Sequence, residues 1–268
     1  MTIRVAISRR DFLIGTAAAG AGLSLGLYLP FGPRTAFAAA GTPEVNAWVV
    51  IEPDDTVIIR IARSEMGQGT LTGLAQLVAE ELECDWAKVK TEYPTPGQSL
   101  ARNRVWGSFS TGGSQGIRGS HQYVREGGAL ARTLLIEAAA EAWGVPMEEC
   151  TAAASVITHR PTGRTKGYGE VAVAAAQLVP PLQVELKDPQ DWTLAGKPLK
   201  RLDTVEKLTG QQVFGADLQL PGMLNAAIRA CPVFGGTLAA FDADAVSNRP
   251  GVRRVVRVGE DAVAVVAD

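Results

Sequence analysis

Two glycine-rich stretches hold the residue types best suited to gripping a ligand. The first is Met66-Gly67-Gln68-Gly69-Thr70; the second runs from Gly107 to Gly119 and carries five glycines and four hydroxyl side chains. Glycine lets a backbone approach a ligand without a Cβ in the way. Each stretch is followed by residues at helical spacing, and the unpaired N–H groups and positive dipole end of a helix start favour an anion such as phosphate. Gln68 can both donate and accept hydrogen bonds, Ser108, Ser110, Thr111 and Ser114 add hydroxyls, and Arg118 has the fork geometry for a phosphate. Together they suggest one elongated, doubly phosphorylated ligand. Neither stretch has the lysine of a Walker loop or the G-x-G-x-x-G spacing of a dinucleotide turn, so ATP and NAD are poorly supported. On spacing alone a structural turn is the better reading of either loop.

Other chemistry is scarce. Cys84, Cys150 and Cys231 are far apart with no C-x-x-C, so no zinc knuckle or iron-sulfur ligand set can be built from neighbours, and they read as small buried apolar residues. His121 and His159 are the sole histidines, expected at an exposed helix start and in a turn. Any metal is therefore expected to arrive inside an organic cofactor. With 26 basic and 28 acidic residues, a net charge of -2, the chain has no field to gather a nucleic acid, and no nucleic-acid partner is expected. The five tryptophans read as core or loop anchors.

The elements that must position the loops follow from periodicity. Val45–Ile51 and Thr56–Ile61 predict a hairpin across Glu52-Pro53-Asp54-Asp55. After the first glycine loop, Leu71, Leu74, Leu77, Val78 and Leu82 predict a helix, with Glu80 and Glu81 on its wet face. A strand at Val89–Tyr93 and a polar loop lead into the second glycine loop. There Ser120 is the expected N-cap of a long helix that Gly144 and Pro146 end. Gly127 and Gly128 inside that helix cost about 1 kcal/mol each against alanine, so something packs very close, a helix and a cofactor serving equally well. A strand over 151–158, a turn at 161–163 and a helix from Glu170 to Leu178 follow. Beyond Pro180-Pro181, strands are expected at Met223–Ile228, Val252–Val258 and Ala262–Ala267, with a short helix over 243–248. The final strand reads as leading into a further element, so a truncated chain is expected.

The first forty residues read as an address. Ser8-Arg9-Arg10-Asp11-Phe12-Leu13 is a twin-arginine signature, and Ala36-Phe37-Ala38 precedes a cleavage point after Ala38 or Ala40. The intervening apolar run is interrupted by five glycines from Gly15 to Gly32 and falls short of the ~20 apolar residues of a spanning helix. A periplasmic, already folded protein is expected, and export in the folded state hints at a cofactor inserted beforehand.

Glu65-Met66-Gly67-Gln68-Gly69-Thr70 followed by Ala79-Glu80-Glu81-Leu82 resembles the E-M-G-Q-G segment of the molybdopterin-binding subunits of the xanthine dehydrogenase and aldehyde oxidase family. Thr111-Gly112-Gly113-Ser114 with Arg118, then Arg125-Glu126-Gly127-Gly128, resembles that family's second cofactor loop and helix. Gly196-Lys197-Pro198, Arg201-Leu202-Asp203 and Leu220-Pro221-Gly222-Met223 resemble its hammerhead domain. The order of motifs is most similar to the isoquinoline 1-oxidoreductase beta-subunit branch, which includes periplasmic aldehyde dehydrogenases.

The resemblance implies an α+β fold: a signal over 1–40, part of a molybdopterin-binding domain over 41–180, a linker over 181–195 and an incomplete α/β hammerhead-like domain over 196–268. It implies molybdopterin cytosine dinucleotide as cofactor, with Gln68 near the molybdenum oxo ligand, Gly67, Gly69 and Thr70 near the cofactor, and Gly112, Gly113, Ser114 and Arg118 toward the pterin or pyrophosphate. It implies a molybdenum-dependent oxidoreductase that oxidises aldehydes or N-heterocycles with water as oxygen source. Electrons would pass to [2Fe-2S] clusters on a small iron-sulfur subunit, with a c-type cytochrome as a further partner. No catalytic residue is expected within this chain, because the family's glutamate base lies beyond it. Glu170, in Gly167-Tyr168-Gly169-Glu170, reads instead as a first-turn helix residue. The alternative is a short, exported, non-catalytic or vestigial cofactor-binding protein.

Overall fold

The computed structural model describes residues 44–268, so the twin-arginine signature and the cleavage points lie outside the described residues. The chain divides into two compact units at Leu208/Thr209. Among the described residues no helix is long and apolar enough to cross a membrane.

The first unit begins with the expected hairpin, β1 (Val49–Ile51) and β2 (Val57–Arg60), paired antiparallel with Val50 opposite Ile58. Strand β3 (Val89–Glu92) lies parallel to β2, and the crossover between them is helix α1 (Thr70–Leu82). A strand, a glycine loop and a helix thus form in the expected order, because β-branched residues fill the pleat while leucines recur at helical spacing. A one-turn helix, α2 (Pro96–Ala101), then starts on a capping box between Thr95 and Gln98, inside the stretch expected to be loop.

Helix α4 (His121–Trp143) packs along α1 and ends at Gly144, whose φ of 66° supplies the left-handed cap. The close approach expected at Gly127 and Gly128 is packing within the protein, against the Trp48 ring just ahead of β1 and against helix α1. A Cβ on Gly127 would lie 3.1 Å from the Trp48 ring, and one on Gly128 would lie 2.5 Å from the backbone oxygen of Val78 in α1. Leu134 and Leu135 of α4 are buried in the hydrophobic core, each contributing roughly 1.5–3 kcal/mol by burial.

The strand expected over 151–158 is two strands, β4 (Cys150–Ala153) and β5 (Val156–His159), and β6 (Arg164–Gly167) completes an antiparallel meander. Ala154 and Ser155 turn the chain with φ of 48° and 65°, a left-handed pair with none of the usual Asn-Gly signal. His159 is correspondingly a buried strand residue, bonded to Glu149 and Thr162, and not a turn residue. Helix α5 (Tyr168–Ala175) follows. Gly169 sits where a Cβ would be 2.6 Å from the carbonyl of Pro53, the Tyr168 hydroxyl donates to the Leu82 carbonyl at 2.6 Å, and the Glu170 carboxylate accepts from Gly167 N–H at 2.7 Å. Glu170 therefore caps its helix.

Residues 181–208, expected as a linker and the start of the next domain, belong to the first unit and are packed along α1 as far as helix α6 (Thr204–Thr209). The second unit holds strands β7 (Asn225–Ala230), β8 (Val252–Val258) and β9 (Ala262–Ala267) in the order β7-β9-β8, all antiparallel, with helix α7 (Asp244–Ser247) between β7 and β8. Helices are interspersed with three separate, mostly antiparallel three-stranded sheets, and the fold is α+β.

Candidate functional site

The two glycine loops meet. Arg63 donates to the carbonyl of Ser110 at 2.9 Å and to the hydroxyl of Ser120 at 3.0 Å, Ser64 donates to the carbonyl of Phe109 at 3.1 Å, and Thr111 donates to the carbonyl of Ser64 at 2.8 Å. Below them, Ile117 would touch a Cβ at Gly73, and Thr70 would touch one at Gly116, each at 3.1 Å. The loop Gly67 to Thr70 is thereby tied to the segment that carries Gly112, Gly113, Ser114 and Arg118, with Thr70 itself buried at the junction.

The first loop is closed upon itself. The Glu65 carboxylate accepts from the backbone N–H of Gly67 at 2.7 Å, of Gly69 at 2.9 Å and of Leu71 at 3.0 Å. It occupies the amide nest at the start of α1 that was expected to face an anionic ligand. Burial would raise its pKa, but the three N–H groups and Arg201 outweigh that and hold the carboxyl below the ordinary carboxylate range. Gln68 is folded back too: its Oε1 accepts from Met66 N–H at 2.6 Å, and its Nε2 donates to the Ser64 carbonyl at 3.0 Å and the Thr70 hydroxyl at 2.5 Å. Thr70 is buried, so its hydroxyl serves the loop. Gly67 and Gly69 have φ of 103° and 88°, conformations that favour glycine.

The second loop is open. It leaves the core at Trp106, whose indole N–H donates to the Ala47 carbonyl at 2.9 Å while Arg60 and Arg102, tied to Glu44, flank its ring. Gly112, Gly113, Ser114 and Gln115 are exposed. A Cβ added at Gly112 would meet nothing within 4 Å, and one at Gly113 would just reach Gln115 at 4.0 Å. Gly113 and Ser114 both have left-handed backbones, at 54° and 58°. Arg118 is exposed and leans back to the carbonyl of Gly113 at 3.4 Å.

This loop leads into a separate one-turn helix, α3 (Gln115–Arg118), and not directly into α4. Ser120 stands at the start of α4 without capping it through its side chain, because its hydroxyl is taken by Arg63 and by Tyr123, which donates at 2.7 Å.

Reasoning from the sequence missed Glu65 and Arg201 as site residues. A carboxylate two residues ahead of a G-x-G turn is a local signal for Glu65, since that spacing lets it fold over the turn's own amides. Arg201 has no local signal: it donates to the Gly67 carbonyl at 2.8 Å and to Glu65 at 3.1 Å from 134 residues away in the chain. Among the described residues no group of three or more His, Cys, Asp and Glu side chains is placed to hold a metal ion.

A family model described as the molybdopterin cofactor-binding domain matches residues 8–212. The beta subunit of isoquinoline 1-oxidoreductase from Brevundimonas diminuta is 30% identical over 97% of this chain and 39% of its own length. A membrane-bound aldehyde dehydrogenase (pyrroloquinoline-quinone) from Gluconacetobacter polyoxogenes is 29% identical over 89% of this chain and 31% of its own. Quinoline 2-oxidoreductase from Pseudomonas putida 86, among solved structures, shares 18% identity over 47% of this chain and 15% of its own, at a TM-score of 0.37. The chain thus spans well under half the length of the relatives it matches.

Proposed function

Because the chain belongs to the molybdopterin cofactor-binding domain family, we propose that its two joined glycine loops hold molybdopterin cytosine dinucleotide as part of a molybdenum-dependent oxidoreductase. The observation that carries this reading is the contrast in donor sets between the two loops. The second loop offers exposed backbone at Gly112 and Gly113, the Ser114 hydroxyl and the Arg118 guanidinium, a set that fits a pyrophosphate. The first loop does not fit a second phosphate, because Glu65 already fills its amide nest. It offers instead the exposed Gln68 amide, which can donate or accept once it lets go of its own loop. Gly67, Gly69 and Thr70 then shape the loop that presents Gln68.

When bound, the cofactor supplies two-electron redox chemistry at molybdenum. The chain's own part is to bind and orient: Arg118 offsets phosphate charge, Gly112 and Gly113 allow close approach, and Gln68 faces the metal end. The substrate class is an aldehyde or an N-heterocycle with water as oxygen source. The electron acceptor is a small iron-sulfur subunit carrying [2Fe-2S] clusters, with a c-type cytochrome beyond it. Twin-arginine export would deliver the folded, loaded protein to the periplasm.

The test is metal and nucleotide content. Protein purified with its natural export signal should carry about one molybdenum and one acid-releasable cytidine monophosphate per chain, and Arg118→Ala should lower both together. Preparations that fold but hold neither, when expressed in a host making the cofactor, would overturn the reading.

A further inference from the structure

The segment from Lys187 to Asp203 runs as a strap along α1, from its C-terminal end to its N-terminal end. At one end, the Lys187 ammonium donates to Glu80 at 2.6 Å and its backbone N–H to Glu81 at 3.0 Å. The other oxygen of Glu80 then accepts three consecutive backbone N–H groups, from Thr193, Leu194 and Ala195, at 2.9, 2.5 and 2.9 Å. One turn earlier Gln76 donates to the carbonyls of Leu194 and Lys197, and another turn earlier Thr72 accepts from Leu202 N–H at 3.0 Å.

The strap ends on Arg201, which is held in place by both oxygens of Asp203 at 3.0 and 2.9 Å and grips the Gly67 carbonyl and the Glu65 carboxylate. Thr72, Gln76, Glu80 and Glu81 of α1 each bond the strap, which fixes where along the helix Arg201 arrives.

We propose that Arg201 is a positioning residue for the first glycine loop: the strap delivers its guanidinium to Glu65 and Gly67, and that grip sets the loop conformation from which Gln68 is presented. The link to a cofactor rests on the reading above; the grip on the loop does not. Arginine is suited to the task because one planar fork spans a carboxylate, a carbonyl and Asp203 together, which lysine cannot do.

Hydrogen exchange followed by mass spectrometry on the full chain, without added ligand, tests it. Arg201→Gln should speed exchange of the Gly67, Gly69 and Leu71 amides by roughly tenfold to a hundredfold, the range expected for losing charged hydrogen bonds. Arg201→Lys should fall between that and the wild type. The second loop and α4 should exchange as before. Unchanged exchange at the first loop in both variants would overturn the proposal, as would a uniform rise across the unit, which would show a merely structural role. Molybdenum content of the same samples reads the other question separately: wild-type protein with a protected loop but no molybdenum counts against the cofactor and leaves the positioning role standing.

Discussion

The two glycine loops look alike in the sequence and differ in what fills them. Glu65–Thr70 spends its donors locally, on the Glu65 carboxylate, the Gln68 amide oxygen, the Ser64 carbonyl and the Thr70 hydroxyl. Gly107–Ser114 is anchored by Trp106 ahead of it and by Phe109, Ser110 and Thr111 midway, and leaves Gly112–Ser114 exposed. Glycine count and a following helix describe both equally well. What separates them is one carboxylate, placed so that it reaches the amide nest before any ligand can. An anion site at a helix start therefore has to be judged by whether the chain already supplies the anion.

The strongest way to break this contrast is to unpin the strap that carries Arg201 to the first loop while leaving the second loop alone. Glu80→Ala strips the carboxylate that holds Lys187 and the three amides of residues 193–195. Glu80 is 2% exposed, so its loss leaves three N–H groups without their acceptor and a largely buried ammonium with Glu83, at 3.4 Å, as its remaining carboxylate. The expected cost is about 3–5 kcal/mol, the range for breaking one side of a buried pair, read as a lower urea midpoint. A loss under about 1 kcal/mol would mean that water replaces the carboxylate and that the strap is not pinned there.

The same carboxylates show where the sequence stops being legible. Leu71, Leu74, Leu77, Val78 and Leu82 are buried as their spacing predicts, yet Glu80 and Glu81, expected on the wet face, are among the most deeply buried side chains. Periodicity locates the face that meets the core but cannot show that a strap from more than 100 residues later covers the opposite face. Arg125, which pairs with Glu81 at 2.7 Å and lies over Trp192, completes a cluster whose members come from three distant stretches. By contrast, the hairpin, α1, α4 and the three strands of the second unit were legible, because each rests on local alternation or local caps. At Gly128 the sequence announced a close approach, and only packing showed the neighbour to be α1.

Acid offers a milder way to sharpen the contrast. The Glu65 carboxyl is held below its ordinary value of 4.5, so its contribution to stability is complete above that value and is lost as pH falls through its depressed folded-state pKa. Asp203 is pulled down to about 2, chiefly by its bonds to Arg201, and stays ionised over most of that range. Burial pushes the nearby Tyr93 hydroxyl up to about 12, so it remains neutral, and the bonds from Arg201 to Asp203 hold its guanidinium above its usual range, so it remains cationic. Wild type should therefore be more stable than Glu65→Gln at pH 6, with the gap narrowing steadily below pH 4.5. A gap that is constant with pH would show that the carboxylate charge does not close the loop.

The smallest effect on stability should be the most informative about the ligand. Gly67→Ala forces a Cβ onto a residue at φ 103°, which should cost about 1–2 kcal/mol whether or not anything binds. Gly112 has no positive φ and nothing within 4 Å of an added Cβ, so Gly112→Ala should leave stability within about 0.5 kcal/mol of wild type. If the second loop carries the pyrophosphate, that methyl group nevertheless stands where the ligand approaches, and molybdenum and cytidine content should fall together in a protein that unfolds at the wild-type midpoint. Full occupancy in Gly112→Ala would move the ligand away from Gly112 and make the openness of the second loop an ordinary property of an exposed turn. Stability and occupancy thus part company at Gly112, where the fold has no use for a missing side chain and a bound ligand would.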